Sequence, residues 1–193
     1  SETRVAPATQ RDLWVWIQTE RADQGLDVGI RVQASLRAFA LLESDRAAFR
    51  RPENRGLEGF IDGTENPAGD AALAAAHIPA GQPGAGGSFA LTQQWEHDLS
   101  AFQSLSVSEQ EEVIGRTRAE SQELEGARAL PTSHVSRTDV SVNGQAQKIY
   151  RRSLPYGDVE RHGLYFVAFA CALGRLELQL GRIFGVAADG LHD

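Results

Sequence analysis

Residues 59–67, GFIDGTENP, place a single carboxylate, Asp62, between a short apolar run and a glycine. Gly59 and Gly63 let the backbone turn or approach another group closely, because glycine carries no Cβ. Asn66-Pro67 then interrupts regular structure. Such a segment could hold one acid rigidly at the edge of a cavity. The alternative is an ordinary Asp-Gly turn in which Asp62 caps its own backbone.

The histidines offer a second kind of chemistry, because imidazole can bind a metal or exchange a proton. His134 follows Pro131-Thr132-Ser133, where it begins a predicted strand, and a structural role is the alternative to a ligand role. The four other histidines are expected to be solvated, exposed or capping residues: His77, His97, His162 and His192. The chain contains no His-x-x-x-His or Cys-x-x-Cys pair for a zinc site and no Gly-x-Ser-x-Gly motif for a hydrolase.

Two adjacent arginines, Arg151 and Arg152, lie seventeen residues beyond His134. Residues 134–142 and 147–152 flank Asn143-Gly144, a strong hairpin signal, so the hairpin should return the arginines beside the strand that begins at His134. Adjacent strand residues point to opposite faces, and one arginine could face a pocket while the other is solvated. A charged edge strand is the alternative.

Composition narrows the possible partners and compartment. The 193 residues suffice for one domain or two small ones, and the net charge of −7 without a basic block argues against nucleic acid. Cys171 is the only cysteine, so no internal disulfide can form, and its apolar neighbours predict a buried thiol. The longest apolar run, at 164–173, is too short to span a bilayer. No signal-peptide core is visible, so we predict a cytoplasmic protein, and the lack of methionine indicates processing or a piece of a longer chain.

Hydrophobic periodicity and helix signals give the predicted elements. The first are a strand buried on both faces at 13–17 and a helix from Asp27, with Ile30, Ala34, Ala38 and Leu41 on one stripe. A loop at 68–87, a strand at 88–95 and a helix that is capped by Ser106 and ends near Gly115 or Arg118 follow. The last are an acidic loop at 119–131, the hairpin, a strand at 163–171, and a helix at 175–184 that ends at Gly185.

This order predicts an α+β fold of ferredoxin-like (split βαβ) units with a largely antiparallel sheet. We divide the chain into residues 1–67, the later part of an N-terminal unit that ends in the Asp62 loop; residues 68–87, a connection rich in Gly, Pro and Ala; and residues 88–193, a C-terminal unit. The first unit should be incomplete, and so should the end of the second.

Six segments carry a family resemblance. They are GFIDGTENP at 59–67, GGSFALTQQWEHDL at 86–99, LSVSEQEEVIGRT at 105–117, TSHVSRT at 132–138, IYRRSLPYG at 149–157 and GLYFVAFA at 163–170. In this order they resemble the DyP-type (dye-decolorizing) haem peroxidases, in the pattern of the bacterial B-type branch. Family chains are longer at both ends.

The resemblance implies a set of roles. His134 would be the proximal axial ligand of haem b, since one histidine suffices to hold haem iron. Asp62 and Arg151 would be the distal acid and arginine, with Ser153 as a polar neighbour. Arg116 would contact a haem propionate or, alternatively, serve as charge at a helix C-terminus; Phe166 would line the pocket or belong to the core. Asp193 lies near the family's C-terminal acidic residue, a possible partner for His134.

The activity implied is peroxidase chemistry: reduction of hydrogen peroxide and oxidation of dyes, phenolics or similar donors through a ferryl intermediate. The resemblance also implies a homo-oligomer, with no nucleic-acid or membrane partner; no tail for encapsulin docking is present. The alternatives are a haem-handling protein that releases iron, or a non-catalytic ferredoxin-like oligomerisation domain if the pocket is lost.

Overall fold

Strand β6 (His162–Ala170) is the centre of the main sheet in this computed structural model, which describes residues 5–193. It pairs antiparallel with β1 (Phe89–Glu96) on one side. On the other side it pairs antiparallel with β4 (Tyr150–Arg151) and β5 (Leu154–Gly157). A separate hairpin joins β2 (Ser141–Val142) and β3 (Gln145–Ala146).

Six α-helices surround or flank these strands in the part of the chain that the structure describes. They are α1 (Ala22–Leu36), α2 (Asp70–Ala76), α3 (Leu99–Gln103), α4 (Val107–Ile114), α5 (His134–Thr138) and α6 (Leu173–Ile183), with short 3-10 turns at Pro52–Asn54 and Gly126–Arg128. Among residues 5–193, no helix is both long and apolar enough to cross a membrane.

The core lies between one face of the sheet and α6. Ala168 and Ala170 are fully buried on β6, and they pack with Ile149 and with Leu176 of α6. Cys171 follows directly and is also buried, as its apolar neighbours predict. The alternation of side chains along β6 therefore turns its small residues towards the helix.

Several local signals are confirmed. Ser106 and Glu109 form the capping box that starts α4, and Gly115 ends this helix with a left-handed φ of 93°. Asn143 and Gly144, with φ of 52° and 75°, form the hairpin turn. Gly185 follows α6 at φ 70°. The strands predicted at 88–95 and 163–171 are β1 and β6, each shifted by one residue.

The predicted buried strand at 13–17 is wrong. The segment pairs with no other strand of residues 5–193, and Trp14 and Trp16 are 38% and 42% exposed. The two indoles stack with ring centroids 6.2 Å apart and lean on Phe169 of β6. Arg152 lies over the Trp16 ring, 5.9 Å from its centroid. Aromatic packing against the outer face of the sheet thus replaces strand pairing here.

Two helices also differ from prediction. Helix α1 begins at Ala22 and ends at Leu36, so Ala38 and Leu41 lie beyond it, and it buries none of its residues. Residues 68–87, predicted as loop, contain α2, whose Ala75 and Ala76 are buried. The Cys171 N–H donates to the Ala75 carbonyl at 2.7 Å, which docks α2 at the end of β6. Alanine has the best helix propensity, and here it outweighs the surrounding glycines.

Gly163 gives a test of the sheet. It lies between β1 and β5, and a Cβ there would sit 1.9 Å from the Trp95 carbonyl oxygen. We expect Gly163→Ala to lower the free energy of unfolding by about 2 kcal/mol or more, because backbone atoms cannot move aside as a flexible side chain can. Urea denaturation measures the loss.

The matched control is Gly181→Ala in α6, where a Cβ meets no atom within 4 Å. It should leave stability unchanged or raise it, since alanine favours a helix over glycine. Equal effects of the two variants would contradict the close strand approach at Gly163.

Candidate functional site

The segment that carries Asp62 is held by its own backbone and by Asn54. The Asp62 N–H donates to the Asn54 carbonyl at 3.0 Å, and the Asn54 side-chain amide donates to the Asp62 carbonyl at 2.8 Å. Gly59 and Gly63 have φ of 94° and 82°, a region in which other residues are strained. The Asp62 side chain is therefore carried by a fixed loop, and its carboxylate has no hydrogen-bond or ion-pair partner among residues 5–193.

Asn66 joins this loop to the strand of Arg151. Its side-chain oxygen accepts from the Arg151 N–H at 2.9 Å, and its amide donates to the Arg151 carbonyl at 2.8 Å. An amide side chain here satisfies one donor and one acceptor of β4, as a neighbouring strand would. Asn66, which the sequence analysis had assigned only to a break in structure, thus ties the loop that carries Asp62 to the backbone of Arg151.

Arg151 and Arg152 differ in environment, as adjacent strand residues should. Arg151 is half-buried, and no hydrogen bond or ion pair within residues 5–193 engages its guanidinium. Arg152 is exposed, and its guanidinium donates to the Gln18 side chain at 3.1 Å. The free guanidinium of Arg151 is available to a ligand.

Ser153 is buried between β4 and β5, and its hydroxyl oxygen accepts from the Val167 N–H at 3.2 Å. The Arg152 N–H donates to the Val167 carbonyl at 2.9 Å. Together these two bonds continue the hydrogen bonding to β6 across the gap between β4 and β5. The hydroxyl proton of Ser153 remains free to donate.

His134 is the first residue of helix α5, and the prediction that it begins an edge strand of the hairpin is wrong. Ser133 caps the helix: its hydroxyl accepts from the Ser136 N–H at 3.3 Å, and its side chain is almost fully buried. The cap directs the following residues into a helical turn, because it satisfies a backbone donor that a strand would leave to a partner. The hairpin begins later, at Ser141.

The His134 imidazole is held by Asp193, with 2.5 Å between Nδ1 and the carboxylate Oδ2. The Asp193 N–H donates to the Ile183 carbonyl of α6 at 3.1 Å, and the residues just before Asp193 are held by Arg137, whose side chain is 1% exposed. Arg137 donates to both carboxylate oxygens of Asp189, at 2.9 and 3.1 Å, and to the Leu191 carbonyl at 2.8 Å. An imidazole bound to a carboxylate through Nδ1 keeps Nε2 available for a metal.

The comparisons with known proteins now add to this geometry. A family model described as "Dyp-type peroxidase, C-terminal" matches residues 53–193. The chain belongs to the DyP-type peroxidase family. It is 36% identical over 169 residues to a dye-decolorizing peroxidase of Mycobacterium tuberculosis H37Rv, covering 86% of this chain and 50% of the relative. The chain thus spans about half the length of the curated relatives it matches.

Solved structures agree. A variant of DypB from Rhodococcus jostii RHA1 in complex with heme superposes with a TM-score of 0.89 at 35% identity, over 93% of this chain and 59% of that one. A dye-decolorizing protein from V. cholerae gives 0.79 at 35% identity, over 89% and 57%. The predicted α+β, ferredoxin-like fold class is confirmed, as is the predicted family.

The two other residues that the DyP-type resemblance singles out have protein partners. The buried Arg116 guanidinium donates to Glu65 at 2.9 Å, to Glu123 at 3.1 Å and to the Ser121 carbonyl at 2.8 Å. Phe166, on β6, packs against the core cluster. Arg116 therefore fixes the same motif loop that carries Asp62, through Glu65.

Glu58 is a residue of this site that the sequence analysis missed. Burial raises the pKa of its carboxyl, and the negative charge of Asp62 raises it further, while Arg51 and His134 act in the opposite direction. Glu58 is thus within electrostatic reach of both the Asp62 loop and His134. No sequence signal marked it, because a glutamate in a Gly-Leu-Glu-Gly segment is typical of an exposed turn.

We predict that Asn66→Ala lowers the free energy of unfolding by about 1–3 kcal/mol, because two hydrogen bonds to the Arg151 backbone are lost and their partners stay half-buried. Urea denaturation gives the stability. Hydrogen–deuterium exchange of the Arg151 amide gives the local effect and should become much faster. Gln103→Ala, at an exposed position, is the control. Unchanged exchange of the Arg151 amide in Asn66→Ala would contradict the two hydrogen bonds between Asn66 and the Arg151 backbone.

A second prediction concerns pH. Because the folded-state pKa of Glu58 is raised above its ordinary value near 4.5, its contribution to stability is fully present below that value and is lost as pH rises through the folded pKa. The stability of Glu58→Gln relative to the parent should therefore improve as pH increases from about 4.5. Denaturant melts across pH measure the difference; Glu20→Gln, at an exposed site, should show no such trend.

Proposed function

We propose that this chain is the haem-holding part of a DyP-type peroxidase that reduces hydrogen peroxide and oxidises dyes, phenolics or similar donors. The observation that carries the proposal is the His134–Asp193 contact of 2.5 Å, in a chain whose structural relatives include a DypB variant in complex with heme. The proposed cofactor is haem b, with His134 Nε2 as the axial ligand.

The donor set fits this cofactor. In the neutral imidazole, Nδ1–H donates to the Asp193 carboxylate, so the lone pair on Nε2 is free for iron. The carboxylate also fixes the tautomer and the orientation of the ring. The His134 side chain is 44% exposed, which leaves room for a ligand beside it.

When bound, haem would supply the redox chemistry by which peroxide is cleaved and a donor is oxidised. The protein supplies proton and charge handling. Asp62 would take the proton from one peroxide oxygen and return it to the other, acting as a general base and then a general acid. Its rigid loop keeps the carboxylate in place for both steps.

Arg151 would stabilise negative charge on the peroxide during cleavage, since a guanidinium stays charged at every working pH. Asn66 holds the Arg151 backbone to the Asp62 loop, which supports a joint role for the two side chains. Ser153 would orient a water or the Asp62 carboxylate through its remaining proton.

For Arg116, the proposed role is contact with a haem propionate, and for Phe166 a place in the pocket wall. Arg116 would have to exchange Glu65 or Glu123 for that propionate, since both glutamates bind it in the structure. We also propose that the protein is cytoplasmic and that it forms a homo-oligomer.

The direct test is absorbance of the purified chain after haem addition. We expect a Soret band for the parent, loss of the band for His134→Ala, and an affinity about 10–100-fold weaker for Asp193→Asn, because the second partner of the imidazole is lost. His77→Ala, at an exposed histidine, should bind as the parent does. A parent chain that binds no haem would overturn the proposal.

Peroxide addition then separates peroxidase from haem handling. Asp62→Asn combined with Arg151→Leu should keep the Soret band and slow the reaction with peroxide about 100-fold or more. A normal reaction in the double variant would overturn the distal roles. A parent chain that binds haem but never reacts with peroxide would favour the haem-handling alternative.

A further inference from the structure

The side chain of Glu58 is folded back over the turn that precedes the Asp62 loop. The Gly59 N–H donates to the Gly56 carbonyl at 3.1 Å, and the Gly56 N–H donates to the Phe60 carbonyl at 2.8 Å. A Cβ at residue 56 would lie 2.0 Å from Glu58 Oε1. The Glu58 carboxyl therefore occupies the space that a Cβ at residue 56 would fill.

One oxygen of this carboxyl, Oε2, is buried and has no hydrogen-bond partner among residues 5–193. The imidazole of His97 is close, with 3.8 Å between its Nδ1 and Oε2. This distance is too long for a hydrogen bond, but a small side-chain movement would form one. The Glu58 side chain is 22% exposed, but a buried carboxyl oxygen without a partner is costly in the anion and much less so in the neutral acid.

Burial and nearby charges act on both members of the pair. Burial raises the pKa of Glu58, with Asp62 acting in the same direction and Arg51 and His134 against it. Burial lowers the pKa of His97, and the charge of His162 lowers it further. A neutral acid and a neutral imidazole are complementary, since the first donates a proton and the second accepts it.

His162 lies beside this pair. The backbone N–H of His97 donates to the backbone carbonyl of His162 at 2.9 Å, where the end of β1 meets the start of β6. His162 is half-buried, with its Nδ1 3.1 Å from the Asp158 carbonyl oxygen. A cavity of about 170 Å³ is lined by His162, Asp158 and Leu57, the last being next to Glu58 in the chain.

We propose that Glu58 and His97 form a proton-carrying pair that connects Asp62 with solvent at His162. The proposal deepens the peroxidase function given above and rests on it. Neither residue would touch peroxide; both would act through Asp62. No hydrogen bond joins the Glu58 and Asp62 carboxyls within residues 5–193, so this transfer would pass through a bridging water.

The steps balance in protons and move no electrons. The Glu58 acid gives its proton to the Asp62 carboxylate and becomes an anion. Neutral His97 then takes a proton from solvent and passes it to the Glu58 anion, which returns both groups to their neutral forms. The net result is one proton from solvent on Asp62. Reduction of peroxide to two waters consumes two protons and two electrons, and the reducing donor supplies the electrons.

The first test uses the haem-free protein and no activity. Nuclear magnetic resonance of the His97 imidazole across pH should show a titration that moves to lower pH in Glu58→Gln, because the variant can no longer place a negative charge beside the ring. In His162→Gln it should move to higher pH, since a facing positive charge is removed. Glu20→Gln is the matched control for Glu58→Gln and should leave His97 unchanged.

The second test uses the haem-loaded chain. Glu58→Gln and His97→Gln should each bind haem as the parent does and slow donor oxidation at saturating peroxide about 10-fold or more, because the protons from solvent are consumed together with the donor's electrons. The loss should come with a larger solvent deuterium isotope effect and an altered pH profile, and Glu58→Asp should restore part of the rate. A purely structural Glu58 would move none of these three readouts.

The outcomes separate the two proposals. A parent chain without haem binding or peroxide reactivity would overturn the peroxidase function. A reactive parent with an unchanged His97 titration and unchanged kinetics in Glu58→Gln would overturn the proton-carrying pair alone. If Glu58→Gln fails to fold, His97→Gln replaces it as the test, and circular dichroism establishes that this variant is folded. A rate, isotope effect and pH profile like those of the parent in His97→Gln would then overturn the proton-carrying pair.

Discussion

A guanidinium that is 1% exposed cannot be left without partners, and that of Arg137 governs the arrangement of the C-terminal part of the chain. The Arg137 guanidinium donates to the Asp189 carboxylate, which lowers the pKa of that group, and to the Leu191 carbonyl. Arg182 of α6 returns the contact by donating to the Ser136 and Arg137 carbonyls at 2.8 and 3.0 Å. Helix α5, helix α6 and residues 186–193 are therefore tied at one point. This tie supports the contact of His134 with Asp193, because His134 begins α5 and Asp193 follows Asp189 and donates its own N–H to the Ile183 carbonyl at 3.1 Å.

The parts of the fold that sequence could predict are those with a local cause. A capping box, a glycine with positive φ and an Asn-Gly turn act within a few residues, so α4, the end of α6 and the hairpin were predicted correctly. The failure at residues 13–17 has a non-local cause. Residues 13–17 have strand composition, but a strand requires a pairing partner, and Trp14 and Trp16 instead rest on Phe169. For His134 the pattern of strand residues was misleading, since the buried cap Ser133 decides the local structure.

The candidate site also has residues that the sequence could predict and residues that it could not. The motif resemblance singled out Asp62, His134 and Arg151, because residue types at fixed spacings are visible in a sequence. The residues that hold them together were not visible. Asn66 acts through a partner 85 residues away, and Glu58 becomes unusual only through burial and through a neighbouring imidazole from the end of β1. Long-range partners and burial are properties of the folded chain, and no spacing along the chain encodes them.

The bonds of Asn66 end on the backbone of Arg151 and never on its side chain. The position of the loop is therefore independent of which side chain residue 151 carries. Natural or engineered exchange at this position could alter charge, size or polarity near Asp62 while the scaffold stays assembled. The contacts that hold the loop are thus separate from the side chain at position 151, and this makes the position a natural starting point for redesigning the site.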